Sequence, residues 1–207
     1  MRPWRSSRCS QRRPGIGTED PAGLLLTGGA SRRMGRDKAA IAVDGEILAV
    51  RTAKLLLAVA APCLEIGGQL SGLRSARETR PGQGPLSAIA AGWSALRSAG
   101  QAGPVLVVAT DMPRLTHGAL AWLARSDSAL SVVPVTGGRM QFLCARWSVK
   151  DLDRAVELVE AGERKVAAVF AGSVTLVDES AFPPGVEAMA FADADTPEDL
   201  DRLTHSP

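Results

Sequence analysis

The chain is predicted to fold in the α/β class, as a mostly parallel sheet with helices on both faces, and three observations predict it. Short runs rich in Val, Leu and Ile alternate with helix-patterned segments from Ala22 onward, which is the sequence form of repeated β-α units. Two stripes, Leu86, Ile89, Trp93, Leu96 and Val149, Leu152, Val156, Val159, recur at i, i+3, i+7, i+10, the spacing of one helix face. The first apolar run passes directly into Gly28-Gly29, as a buried strand does when it turns into a ligand-facing loop. With 207 residues, 45% of them apolar, there is chain enough for one domain with a real core.

Taken in order, residues 1–20 mix Arg, Ser, Gln, Pro and Gly without apolar periodicity, so a disordered basic extension is expected there, followed by one domain over 21–207. Strands are expected at Gly23–Thr27, Cys63–Gly67, Gly72–Arg77, Pro104–Ala109, Ala129–Val135, Gln141–Arg146 and Ser173–Val177. The two helical stripes fall between them, and Trp93 is read as packing because it lies in the first stripe. A last helix opens at Thr196-Pro197-Glu198-Asp199, with an N-cap hydroxyl, proline at the first helical position and acids in the first turn. No internal repeat and no Pro- or Ser-rich linker interrupts the body after residue 21.

Composition excludes several function classes. Of 24 basic and 22 acidic residues, Arg2, Arg5, Arg8, Arg12 and Arg13 stand against Glu19 and Asp20 in the extension. The remainder therefore holds 19 basic and 20 acidic residues, a net charge of −1. Such a body has no general field for a polyanion, which argues against a nucleic-acid partner. The extension has no apolar h-region, and the longest apolar stretch, near Leu55–Pro62, is far short of a bilayer span, so no membrane partner and a cytoplasmic location are expected. Cys9, Cys63 and Cys144 are odd in number and widely spaced, forming neither a disulfide framework nor a CxxC knuckle. Only His117 and His205 are present, and no GxSxG elbow, so Ser/His/Asp chemistry is discounted. Carboxylates, lysine, arginine and a bound metal remain as the means of catalysis.

Residues 24–38, Leu-Leu-Leu-Thr-Gly-Gly-Ala-Ser-Arg-Arg-Met-Gly-Arg-Asp-Lys, read as a phosphate cradle. Gly28-Gly29 lack the Cβ atoms that keep backbone N–H groups away from a polyanion. Arg32, Arg33 and Lys38 add charge for phosphate oxygens. The loop is not a Walker A sequence, since Arg36-Asp37 separate Gly35 from Lys38 and Ala39 stands where a hydroxyl would meet Mg²⁺.

Other segments carry complementary groups. Asp111 ends the run Val105–Ala109 at Thr110-Asp111-Met112-Pro113, at the carboxyl end of a parallel strand, where ligands of such sheets sit. It reads equally as a Mg²⁺ ligand or as the acid of a simple Asp-x-Pro turn. Asp193 and Asp195 share one face of extended chain just before the last helix. That pair suits a metal site, a polar substrate, or the capping of the helix. Arg80-Pro-Gly-Gln-Gly84-Pro85-Leu86 enters a helix from a Gly- and Pro-rich loop, an arrangement that turns backbone N–H groups toward a ligand.

Residues 24–38 match, over 15 contiguous positions, the Leu-x-Gly-Gly-x-Ser-x-Arg-Met-Gly-x-Asp-Lys signature of nucleotidyltransferases, and most closely resemble the molybdenum cofactor guanylyltransferases. Asp111-Met-Pro-x-Leu115 is similar to the metal-binding Asp-x-Pro segment of that family, and Gly84-Pro85-Leu86 to its Gly-Pro-Leu segment beside the base. Ala161-Gly-Glu-Arg-Lys165 resembles its segment towards the pterin substrate, although Gly-Glu-Arg-Lys is equally a solvated helix junction. The resemblance implies a Rossmann-like, nucleotide-diphospho-sugar transferase-like fold and transfer of GMP from GTP to the phosphate of molybdopterin, with release of pyrophosphate. It further implies Lys38, Asp111 and Arg33 as catalytic residues, and Leu26, Thr27, Gly28, Gly29, Lys38, Gly67, Glu78, Gly84, Pro85 and Leu86 as the nucleotide site. Mg²⁺ would be the cofactor, on Asp111 with Asp195 or Asp193, while Arg164, Lys165 and Gln141 would hold the pterin substrate and accessory maturation proteins would be further partners.

Three departures matter. Asp193-Ala-Asp195 stands where the guanylyltransferases show Asn-x-Asn, as in the related cytidylyltransferases; Phe142 replaces a proline; and Glu78 replaces an Asp. A carboxylate there can accept from guanine N1–H and its 2-amino group together. A cytidylyltransferase of the same cofactor, a sugar-phosphate nucleotidyltransferase and a catalytically silent nucleotide-binding partner are the alternatives.

Overall fold

In chain order the elements are β1 (Ala22–Leu26), β2 (Ala42–Val43), β3 (Glu46–Ile47), α1 (Leu48–Leu57), β4 (Cys63–Ile66), β5 (Arg74–Ala76), α2 (Pro85–Ser98) and β6 (Val105–Ala109). They continue as α3 (His117–Ala124), β7 (Val132–Thr136), β8 (Arg139–Met140), β9 (Cys144–Trp147), α4 (Val149–Glu160), β10 (Thr175–Asp178) and α5 (Pro197–His205). This computed structural model describes residues 20–28, 38–76, 82–172 and 174–205, without the side chains of Lys38 and His205. Residues 1–19 of the expected extension lie outside the described residues; Asp20, at its end, has its carbonyl bonded by Gln101 Nε2 at 2.9 Å.

The main sheet runs β5-β4-β1-β6-β9-β7-β10, with β8 folded back on β7. β5, β4, β1 and β6 are parallel neighbours, as are β7 and β10, while β9 runs against both β6 and β7. The α/β class and the mostly parallel sheet expected from the sequence are thus present, with one reversed central strand. Each expected strand is present, with shifted ends. The sixth begins at Cys144 rather than Gln141 because residues 141–144 turn first, with Cys144 N–H bonded to the Gln141 carbonyl at 3.0 Å.

Strand alternation divides the core. Leu24, Leu26, Val105 and Val107 pack under α2 and α4, with Leu86, Ile89, Trp93, Leu96 and Leu152, whereas Leu25, Leu106 and Val108 face α1 and α3. Trp93 is buried and its indole N–H donates to Asp153 Oδ1 at 2.7 Å. All five residues of β1 and of β6 are buried, which places these two strands at the centre and fixes their register.

Two short hairpins went unread in the sequence. Asp44 (φ 53°) and Gly45 (φ 80°) make the β2–β3 turn, and Gly137 (φ 54°) and Gly138 (φ 74°) make the β7–β8 turn. Both pairs have the left-handed backbone of a two-residue hairpin loop. The α5 start follows expectation: Thr196 Oγ1 accepts from Asp199 N–H at 3.1 Å, and Asp199 Oδ2 accepts from Thr196 N–H at 3.1 Å, a reciprocal cap.

Candidate active site

β1, β4 and β6 are parallel, so the segments after Leu26, Ile66 and Ala109 emerge on one side of the sheet. Leu26 pairs with Ile66 across β1 and β4, which sets Thr27-Gly28 beside Gly67. Gly67 adopts φ +130°, and a Cβ there would lie 2.2 Å from Gly28 N and 2.7 Å from Gly28 Cα and the Thr27 carbonyl carbon. Only glycine permits two backbones this close.

Beneath this seam lies Glu65, fully buried. Its Oε1 accepts from Thr27 Oγ1 at 2.6 Å and Leu70 N–H at 2.8 Å, and its Oε2 from Ser71 N–H at 3.0 Å and the Ser71 hydroxyl. Thr27 Oγ1 in turn accepts from Gly68 N–H at 2.8 Å. Burial alone opposes ionisation of Glu65, but the Ser71 and Thr27 hydroxyls and the Leu70 and Ser71 amides outweigh it and hold the carboxyl below its ordinary range. Sequence reasoning took Cys63–Gly67 as an ordinary strand and missed this residue. The signal was an acid inside an apolar run.

Asp111, half-buried, stands just past β6, and its carbonyl accepts from Ala194 N–H at 2.8 Å. The chain before α5 therefore crosses the end of β6. Between them opens a cleft of about 260 Å³ lined by Asp111, Asp193, Arg139, Gln141, Phe142 and Val166 among others. Asp193 lines this cleft and Asp195 does not. Gln141 Nε2 donates to Thr136 Oγ1 at 2.8 Å, which ties it to the end of β7. Arg139 reaches the cleft because the Gly137-Gly138 turn pairs it with Thr136. It was not singled out from the sequence, although that Gly-Gly pair is a hairpin signal.

Gly84 (φ 93°) caps α2 and Pro85 takes its first position. Among the described residues, the positive end of that helix has no capping side chain or first-turn acid, an arrangement that suits an anion. The side chains of Leu26 and Leu86 are core, so these two residues could meet a ligand only through backbone. At the end of α4, Gly162 (φ 88°) closes a Schellman motif, with Gly162 N–H on Val159 O at 3.0 Å and Glu163 N–H on Leu158 O at 2.8 Å. Glu163 Oε1 then accepts from the Arg164 and Lys165 amides at 2.7 and 2.8 Å. Both basic side chains are exposed, one and two positions before Val166 of the cleft wall.

The two described thiols are not nucleophiles. Burial pushes Cys63 up to about 12, and burial together with the charge of Asp111 raises Cys144 well above the usual thiol range. Among the described residues, no three His, Cys, Asp or Glu side chains are placed to hold a metal ion. Mg²⁺ is usually bound through one or two carboxylates with water and substrate phosphate, and Asp111 and Asp193 both line this cleft. Gly29, Arg33 and Glu78 lie outside the described residues, as does the side chain of Lys38.

Residues 23–176 match the family described as MobA-like NTP transferase domain. The probable molybdenum cofactor guanylyltransferase of Mycobacterium tuberculosis is 39% identical over 171 residues, spanning 75% of this chain and 81% of that protein. The molybdenum cofactor guanylyltransferase of Rhodobacter capsulatus is 34% identical over 191 residues, 87% of this chain and 93% of its own length. In fold, the crystal structure of molybdopterin-guanine dinucleotide biosynthesis protein A from Archaeoglobus fulgidus superposes with a TM-score of 0.69 at 22% identity, covering 88% of this chain and 96% of the other.

Proposed function

From the chain's membership of the MobA-like NTP transferase family, and hence its being a nucleotidyltransferase, we propose that it is a cytoplasmic guanylyltransferase that moves GMP from GTP to the phosphate of molybdopterin and releases pyrophosphate. The observation that carries the reading is the cleft at the end of β6, lined by both Asp111 and Asp193, with the end of β6 paired to the end of β1 through Ala109 and Leu26. The names of the M. tuberculosis and R. capsulatus relatives support the choice of substrates.

In this proposal the Gly28-Gly29 amides, Arg33 and Lys38 hold the triphosphate, and the N-terminus of α2 at Gly84-Pro85-Leu86 contributes backbone N–H groups to the nucleotide. Glu78 accepts from the guanine edge. Gln141 in the cleft wall, with Arg164 and Lys165 in the exposed segment before Val166, binds the incoming pterin and orients its phosphate for attack at the α-phosphorus. No side-chain nucleophile is required, since positioning and charge supply the acceleration. Asp111 with Asp193, or Asp195 in its place, would hold Mg²⁺, which when bound offsets charge on the reacting phosphates.

The two acids at Asp193 and Asp195 favour one rival, transfer of CMP from CTP. Incubating the protein with molybdopterin and each nucleoside triphosphate in turn, and following pyrophosphate, separates the two. GTP is expected to be preferred; preference for CTP would overturn the guanylyl assignment. Asp111→Ala is expected to abolish turnover with an unchanged melting temperature, and an unaffected rate would remove Asp111 from catalysis.

A further inference from the structure

We infer that Glu65 is a positioning residue for the nucleotide: through its buried carboxylate it locks the loop after β4 onto the end of β1, so that residues 67–71 meet the nucleoside triphosphate as a preformed wall. The inference rests on the nucleotidyltransferase reading and adds to it a residue that touches no substrate.

The donors to Glu65 identify what it serves. All four come from two short segments, Thr27 after β1 and Leu70-Ser71 after β4, and none from a helix of either layer. An ionised carboxylate accepts and cannot donate, and four donors use its accepting capacity fully. A neutral amide in its place would set an NH₂ group against two of those donors, one of them a backbone N–H that cannot turn to accept. The hold extends through Thr27, whose hydroxyl gives its proton to Glu65 and accepts from Gly68 N–H. Gly68, Leu70 and Ser71 are thus each fastened by their backbone nitrogen, and Gly67 is wedged against Gly28.

Between these anchors stands Gln69, exposed and with φ +56°. A non-glycine residue with a left-handed backbone is uncommon outside turns such as that at Asp44, and such conformations also gather at ligand sites. Around Gln69 are the Glu65 bonds on one side and the Thr27 bond on the other. A buried charge is costly and an apolar fastening would stabilise the fold as well. What the carboxylate adds is a fixed loop on the ligand side of the sheet, which spares the ordering that a mobile loop would undergo on binding.

The test measures GTP binding to the intact chain by calorimetry, with steady-state kinetics and thermal melts, for wild type, Glu65→Gln and Ser71→Ala. Glu65→Gln is expected to weaken GTP binding at least tenfold and to raise KM for GTP in proportion, with kcat changed less than threefold. Ser71→Ala, which removes one donor, is expected to weaken GTP about three- to fivefold. A merely structural role would lower the melting temperature and leave GTP affinity within twofold of wild type in protein folded at the assay temperature; that result would overturn the inference. If Glu65→Gln does not fold, Ser71→Ala decides alone, and unchanged binding is again fatal. Wild-type protein that binds no nucleoside triphosphate would overturn the nucleotidyltransferase reading and this inference with it.

Discussion

Replacing Gly67 by alanine probes the seam on which the nucleotide site is built. Two terms add. The backbone at φ +130° is one that a residue with a Cβ adopts at a cost of about 1–3 kcal/mol. The new methyl would also stand 2.2 Å from Gly28 N, where ordinary contact begins at 3.4 Å, and the obstacle is backbone that no rotamer change can clear. The ends of β1 and β4 must then separate by about 1 Å, and overpacking of this kind costs about 1–3 kcal/mol. Together the loss is about 2–6 kcal/mol, which for a chain of this size corresponds to a fall in Tm of about 5–20 °C. The same displacement moves Gly28 relative to a bound triphosphate, and a shift of about 1 Å in a site can cost about a hundredfold in rate. Gly45→Ala is the control, because Gly45 also has a left-handed backbone, φ +80°, but nothing within 4 Å of its Cβ position. It should lose only the backbone term, about 1–2 kcal/mol, with GTP turnover unchanged. Thermal melts and pyrophosphate release on the three proteins check both expectations. Should Gly67→Ala melt no lower than Gly45→Ala, the close approach of β1 and β4 would not be what requires glycine.

Three further outcomes are expected. Because Asp193 lines the cleft and Asp195 does not, Asp193→Asn should lower kcat/KM at least tenfold more than Asp195→Asn; equal losses in paired assays would count against assigning the second carboxylate to Asp193. Arg139→Ala should raise KM for the pterin substrate about tenfold and leave KM for GTP in place, since one charge-assisted contact contributes about 1.5–3 kcal/mol; an unchanged pterin KM would remove Arg139 from the site. The folded pKa of Glu65 is lowered from 4.5, so its ionised form contributes stability that is fully present above the unfolded value and is lost as pH falls through the lower folded value. In urea titrations from pH 8 to pH 3, the stability gap between wild type and Glu65→Gln should be constant near neutrality and shrink below about pH 4.5, and a gap independent of pH would mean that Glu65 is not ionised in the folded chain.

Elements that depend on local pattern were legible. The stripes at Leu86–Leu96 and Val149–Val159 became α2 and α4 because a 3.6-residue period is a property of the segment itself. The cap at Thr196-Pro197 was readable for the same reason. Strand ends were less so: the expected strand from Ala129 begins at Val132, since pairing with β9 and β10 decides where a strand starts. The reversed direction of β9 left no local mark, because an apolar strand has the same composition in either direction. Asp44-Gly45 and Gly137-Gly138 were present as turn signals, but strands of two residues give too short an alternation to be noticed. At the site, Asp111, Asp193 and Gln141 carried family motifs and converge on one cleft. Arg139 lay in the same Gly138–Gln141 stretch without being given a role, and Glu65 carried no motif.

The sequence by itself determined the class of fold and the kind of chemistry, because apolar periodicity, the Gly28-Gly29 loop with its cations, and the absence of other nucleophile or metal motifs are local and compositional. Tertiary structure alone decided which carboxylate shares a cleft with Asp111 and what ties the segments after β1 and β4 together. Both depend on residues far apart in the chain: Ala194 bonded to Asp111 brings Asp193 to the cleft, and Thr27 and Ser71 meet on Glu65. No local rule relates such positions, since only the order and register of the closed sheet place them within a hydrogen bond of one another.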